Sequence, residues 1–162
     1  MSVLAILALA AAGATPIVTF PGTQRELSSP NSAFTVIWWE PAPGKTEHSL
    51  LLKWAGSPKS WQVYSFPRSV SVSWAPAEPV FVVTDRISGD GATTFAQNAA
   101  TGRKWNVCAG PQQGLGAQWS AAHHRYCEQL GWTKRGELQL RLWGYGEGVS
   151  FDTTVTVPVR RE

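Results

Sequence analysis

The feature that most constrains this chain is a two-residue hydrophobic period. It recurs from Phe34 almost to the C-terminal end and is broken at short intervals by glycine, proline and small polar residues. Such alternation puts every second side chain on one face of a pleated strand, which no helix satisfies. Phe34–Trp39 (FTVIWW), Ser49–Trp54 (SLLLKW) and Trp61–Phe66 (WQVYSF) form a first set of strands. Ser69–Trp74 (SVSVSW), Val80–Thr84 (VFVVT), Thr93–Gln97 (TTFAQ) and Lys104–Val107 (KWNV) form a second. Tyr126–Trp132 (YCEQLGW), Glu137–Trp143 (ELQLRLW) and Phe151–Val157 (FDTTVTV) form a third. The breaks at Pro41–Gly44, Ala55–Pro58, Ala100–Gly102 and Gly144–Gly146 carry turn chemistry. The reading is an all-β chain of about ten antiparallel strands with almost no helix.

The sets share an internal layout. A turn precedes an apolar strand at Ser29–Ser32 before FTVIWW and at Ala75–Pro79 before VFVVT, with the turn residues Pro30 and Pro76 46 positions apart. Trp61 and Trp105 each stand at the head of the strand after the second hairpin. Four antiparallel strands at a period in the forties is the pattern of a propeller blade. The units span about 27–67, 68–109 and 123–158, with residues 108–123 as an inserted loop containing Gly110, Pro111, Gly114 and Gly116.

Residues 29–37 (SPNSAFTVI) and 74–83 (WAPAEPVFVV) resemble the Trp-Ser-Pro-Asp-Gly blade motif of TolB-like and WD-repeat propellers. With the stretch 131–146 (GWTKRGELQLRLWGYG), the chain resembles a group of small exported bacterial proteins of unassigned function. The resemblance covers most of residues 27–157 and implies three propeller-like blade units. Closed propellers have four to eight blades, so an open or incomplete propeller is expected, with a β-sandwich as the fallback. Closure of a ring by homo-oligomerisation is a further arrangement. Fold alone implies no activity.

The N-terminal end reads as a leader. Residues 3–14 (VLAILALAAAGA) are a run of 12 residues without a polar side chain, shorter than the roughly 20 a membrane-spanning helix needs. Ala12-Gly13-Ala14 fits the small-residue pattern of a signal-peptide cleavage site, so residues 1–14 are expected to be removed and 15–162 to form one exported β domain, periplasmic or secreted. No later segment suggests a transmembrane anchor. The net charge of +3 is spread thinly, with 14 basic and 11 acidic side chains. No basic stripe of the kind that tracks nucleic acid is present, so a nucleic-acid partner is not expected; a protein or glycan partner is.

Chemistry-bearing residues are few. Cys108 and Cys127 are the only cysteines, and an even pair in an exported chain reads as a disulfide. The competing metal set of Cys108, His123, His124 and Cys127 has no standard ligand spacing, so no metal and no cofactor are expected. His48, His123 and His124 are the only histidines, and each reads as a surface loop or strand-end residue. No nucleophile elbow or phosphate loop is present, and no catalytic residue is assigned. The acids Glu40, Glu78, Asp85, Asp90, Glu137 and Asp152 are scattered, with Asp85 and Asp90 reading as turn-capping residues.

Nine tryptophans remain to be explained. Recurrence at equivalent strand ends (Trp74 with Trp132, Trp61 with Trp105) suggests rings that fill the wedge between packed sheets. Trp38 and Trp39 are adjacent on one strand and must face opposite sides, so one should be exposed. Trp39, Trp119 and Trp143 lack repeat partners and are the candidate ligand-binding residues. The expected function is a non-catalytic binding or structural module of the bacterial envelope. The alternative is a carbohydrate-binding protein or small carbohydrate-active hydrolase.

Overall fold

The structure, a computed structural model, describes residues 15–42 and 47–159. The leader at 1–14, Arg160, Arg161 and part of the Pro41–Gly44 turn lie outside the described residues. The ten expected strands are present, preceded by two short ones, β1 (Val18–Phe20) and β2 (Glu26–Ser28). They are β3 (Phe34–Trp39), β4 (His48–Trp54), β5 (Ser60–Phe66), β6 (Val70–Trp74), β7 (Val80–Ser88), β8 (Gly91–Asn98), β9 (Lys104–Asn106), β10 (His124–Trp132), β11 (Leu138–Gly146) and β12 (Val149–Val157). The chain is all-β.

Strands neighbouring in sequence pair antiparallel, giving three meanders. The first, β2-β3-β4-β5, is a separate four-stranded sheet. The second, β6-β7-β8-β9, carries β1 on the outer edge of β6, and the third is β10-β11-β12. The second and third join through a short parallel pairing, Arg125 with Gly91 and Tyr126 with Ala92. The arrangement is sandwich-like.

Two apolar cores separate the three layers. Phe20, Leu27, Val36, Leu50, Leu52, Phe66, Val72, Trp74, Phe81 and Val83 fill the first, between the first sheet and the β1/β6–β8 face. Val80, Val82, Ala96, Val107, Leu138, Leu140 and Leu142 fill the second, between the opposite face of β7–β8 and the third meander. Phe81 and Val83 thus serve one core while Val80 and Val82 serve the other. Coverage on both sides explains why every residue of β6 is buried and why β7 is buried from Val80 to Asp85.

Burial on both faces leaves polar strand residues inside, and these bond across the second core. Ser73 Oγ donates to Gln129 Oε1 at 2.6 Å, and Trp132 Nε1 donates to Ser73 Oγ at 2.9 Å. Gln129 N donates to Thr84 Oγ1 at 3.1 Å, and Thr94 Oγ1 donates to the Cys127 carbonyl at 2.6 Å. Thr84 and Thr94 hydroxyls lie 2.8 Å apart. Since Thr94 spends its proton on Cys127, the Thr84 hydroxyl is the donor between them.

Residues 108–123 are more ordered than their glycines and proline suggest. They carry two short helices, α1 (Ala109–Leu115) and α2 (Ala117–Ala121), separated by Gly116 at φ 52°. Pro111 falls in the first turn of α1, where an amide donor has no helical acceptor to lose. Neither helix has a fully buried residue. Leu115 and Trp119 lie partly buried on the second core, and the Cys108–Cys127 disulfide, at 2.08 Å, staples the segment to β10. Both sulfurs are therefore engaged with each other, as expected of the cysteine pair.

Candidate binding site

The turn between β7 and β8 is where the second and third meanders meet. Arg125 N donates to the Asp90 carbonyl at 3.0 Å, and Tyr126 Oη donates to the Gly89 carbonyl at 2.6 Å. A Cβ on Gly91 would stand 3.0 Å from the Arg125 carbonyl, so a glycine there permits the close approach of β10. Gly144 is tighter still: a Cβ would meet the His124 carbonyl at 2.5 Å and the Phe151 ring at 2.7 Å. The missing side chain lets the Phe151 ring lie over β11, and Trp119 of α2 packs against that ring at 5.8 Å.

This junction borders an open groove of about 350 Å³, lined by Trp119, Gln112, Asp90, His123, Arg125 and Ile87 among others. Asp90 Oδ1 lies 3.2 Å from His124 Nδ1, and His123 Nε2 lies 2.7 Å from Glu147 Oε1. Among the described residues, Asp90 is the only acid lining the groove.

His124 also begins a ladder of rings on the outer face of the third meander. It stacks on Tyr145 (4.3 Å between centroids, 11° between planes), and Tyr126 stacks on Trp143 (3.9 Å, 10°). Both are directly paired positions in the β10–β11 register, where cross-strand side chains come closest. The next rung is charged: Trp143 Nε1 donates to Glu128 at 3.0 Å, and Glu128 pairs with Arg86 at 3.3 Å. Arg141 lies 5.3 Å over the Trp143 ring and grips Asp152 through both oxygens, at 2.9 and 2.6 Å. That fork, foremost through its hydrogen bonds, raises the Arg141 pKa and holds Asp152 below its ordinary value. The groove and the ladder meet at the Asp90–His124 pair.

The three tryptophans singled out from the sequence are dispersed. Trp119 lines the groove, Trp143 stands in the ladder, and Trp39 lies on the first sheet, 46% exposed beside a cavity of about 240 Å³ shared with Arg25, Trp38 and Glu40. Trp38 packs on the first core while Trp39 faces outward, the alternation expected of neighbours on a strand. Trp61 departs from expectation: it is 43% exposed, whereas Trp105 packs on the second core.

His123, exposed in the loop before β10, and His124, the first residue of β10, fit their readings, whereas His48 and Asp85 do not. His48 is half-buried between the rings of Trp38 (5.9 Å) and Phe66 (5.4 Å). Asp85 is no turn cap but a buried β7 residue whose Oδ2 accepts the Tyr64 hydroxyl at 2.5 Å. Burial first, then the hydrogen bond to Asp85, pushes the Tyr64 pKa well above that of an ordinary tyrosine. Lys104 Nζ lies 4.9 Å from the Tyr64 ring and 4.5 Å from that of Phe95, and burial lowers its pKa. Among the described residues, no group of three or more His, Cys, Asp and Glu side chains is placed to hold a metal ion.

Sequence reasoning missed the ladder, although its alternation is visible as His124, Tyr126 and Glu128 facing Tyr145, Trp143 and Arg141. Pairing those positions needs the register, which the strands do not carry individually. No protein-family model matches the chain, and no curated protein matches it.

Proposed function

We propose that this chain is an exported, non-catalytic binding module built from blade-like meanders, and that the groove over Trp119 receives a neutral glycan. One observation carries the glycan reading: the Trp119 ring lines the groove together with the planar polar groups of Asp90, Gln112, His123 and Arg125. A pyranose offers an apolar C–H face to such a ring and a belt of hydroxyls that forked carboxylate, amide and guanidinium groups can bridge. The groove carries both signs of charge, so an anion would meet Asp90 and a cation would meet Arg125. The volume lies within the range of small-molecule sites.

The disulfide supports export, because such bonds persist in oxidising compartments. Among the described residues, no helix is long and apolar enough to cross a membrane.

The test is tryptophan-fluorescence titration with neutral oligosaccharides, backed by a glycan array. Trp119→Ala is expected to abolish the response, and Trp39→Ala to leave it intact. Silence of the native chain across both assays would overturn the glycan reading. The remaining reading, a protein-interaction or structural module, is favoured by the ladder, whose ion pairs are already matched and whose outer face is free to take a partner.

A further inference from the structure

The β4–β5 hairpin ends in two large apolar rings where a sheet would ordinarily bury them. Trp54 is 54% exposed and Trp61 43%. Leu52 pairs with Trp61, and Phe34 pairs with Trp54, so both rings stand on the face that carries Leu50 and Leu52 into the first core. They project past the end of that core. Their exposure is not fraying, because the tip is tied down. Ala55 N donates to the Ala33 carbonyl at 2.9 Å, Ser57 N to the Trp54 carbonyl at 2.9 Å, and Lys59 N to Ser57 Oγ at 3.1 Å.

The charge along the hairpin has one sign. Lys59 lies two residues before Trp61 and Lys53 precedes Trp54 on the opposite face of β4, and no Asp or Glu occurs anywhere from residue 48 to residue 77. Both lysines are exposed. The described chain also begins at this end of the molecule. Thr15 Oγ1 donates to the Trp74 carbonyl at 2.6 Å, Trp74 stacks on Phe34 at 6.5 Å, and Phe34 is the strand partner of Trp54.

We propose that this tip docks on an anionic lipid surface, with Trp54 and Trp61 entering the headgroup layer and Lys53 and Lys59 facing lipid phosphates. Tryptophan favours the membrane interface because its ring is apolar and its N–H needs a polar partner. Lysine extends its apolar stem along the boundary and leaves its charge among the headgroups. A second copy of this chain is a poorer occupant. A two-fold interface would set the patch against itself and bring like charges together.

The experiment is co-sedimentation of the full chain with vesicles of phosphatidylglycerol and phosphatidylcholine in equal parts, compared with phosphatidylcholine alone. The native chain is expected to bind the anionic vesicles roughly 30-fold more tightly, the product of two lysines at an anionic surface. Trp54→Ser/Trp61→Ser is expected to lose binding to both. Lys53→Glu/Lys59→Glu is expected to lose only the anionic preference, and because it keeps both rings it serves as an independent variant should the first fold poorly. Undiminished binding by the double-tryptophan variant would overturn the proposal. So would a native chain that ignores both vesicles, including one that light scattering shows to self-associate through Trp54 and Trp61.

Discussion

The side-chain amide of Gln129 on β10 donates to the backbone carbonyl of Ser71 on β6 at 2.6 Å, reaching past β7 across the second core. Its carbonyl end accepts from Ser73. One buried residue thereby ties the third meander to the far strand of the second, beside the Trp132–Ser73 and Thr94–Cys127 bonds.

Replacing that amide should be costly. Gln129→Met keeps the approximate volume but deprives the Ser71 carbonyl and the Ser73 hydroxyl of a partner. At about 1–3 kcal/mol for each buried polar group left unsatisfied, a loss of roughly 2–4 kcal/mol is expected. Denaturant unfolding monitored by tryptophan emission measures it, and a change under about 0.5 kcal/mol, the size of an ordinary surface substitution, would show that the bridge is energetically idle.

The disulfide closes a loop between Cys108 and Cys127, 19 positions apart. Cross-linking a loop of this size stabilises by about 3 kcal/mol in the chain-entropy model. Cys108→Ala/Cys127→Ala should lower stability by about that amount and loosen 109–121, read as faster amide exchange in α1 and α2. Two free thiols by mass spectrometry of the native, unreduced protein would contradict the structure.

Gly144→Ala tests the groove's foundation. The new methyl would collide with the His124 carbonyl and the Phe151 ring, at 2.5 and 2.7 Å, and overpacking of this kind costs about 1–3 kcal/mol. Because Trp119 rests on Phe151, the variant should also weaken any ligand that quenches Trp119. A Gly144→Ala protein as stable as the native chain would mean that Phe151 moves aside freely.

Alkaline pH should weaken the first core. Folding raises the Tyr64 pKa, by burial and by the hydrogen bond to Asp85, so the neutral phenol is favoured in the native state. The stability this contributes is complete below the ordinary tyrosine pKa, near 10, and is lost as pH rises beyond it. The native denaturation midpoint should therefore fall above about pH 10, and Tyr64→Phe should flatten that decline. At neutral pH the same variant should lose roughly 1–3 kcal/mol, because it deprives a buried carboxyl of its donor. Identical alkaline profiles for the two proteins would rule the mechanism out.

Strands were legible in the sequence wherever alternation met turn residues, as in FTVIWW before Pro41 or TTFAQ before Gly102. The three-residue strands β1 and β2 were not, since so short a segment has no period to detect. The helices at 109–121 were hidden because Gly110, Pro111, Gly114 and Gly116 argue against helix; the disulfide and the contacts of Leu115 and Trp119 hold them. Of the candidate site, Trp119 could be named in advance, but Asp90, Gln112 and Arg125 come from three different elements and share nothing along the chain.

Trp61 and Trp105 draw the line most clearly. Each stands near the head of the strand after a hairpin turn, yet Trp105 packs on the second core and Trp61 lies on the edge strand of the first sheet. By itself the sequence determined what is local: the two-residue period, the turns and the cysteine pair. Only the tertiary structure decided which faces are covered, and hence which tryptophans are core and which are surface, because coverage depends on long-range packing that no short window of residues encodes.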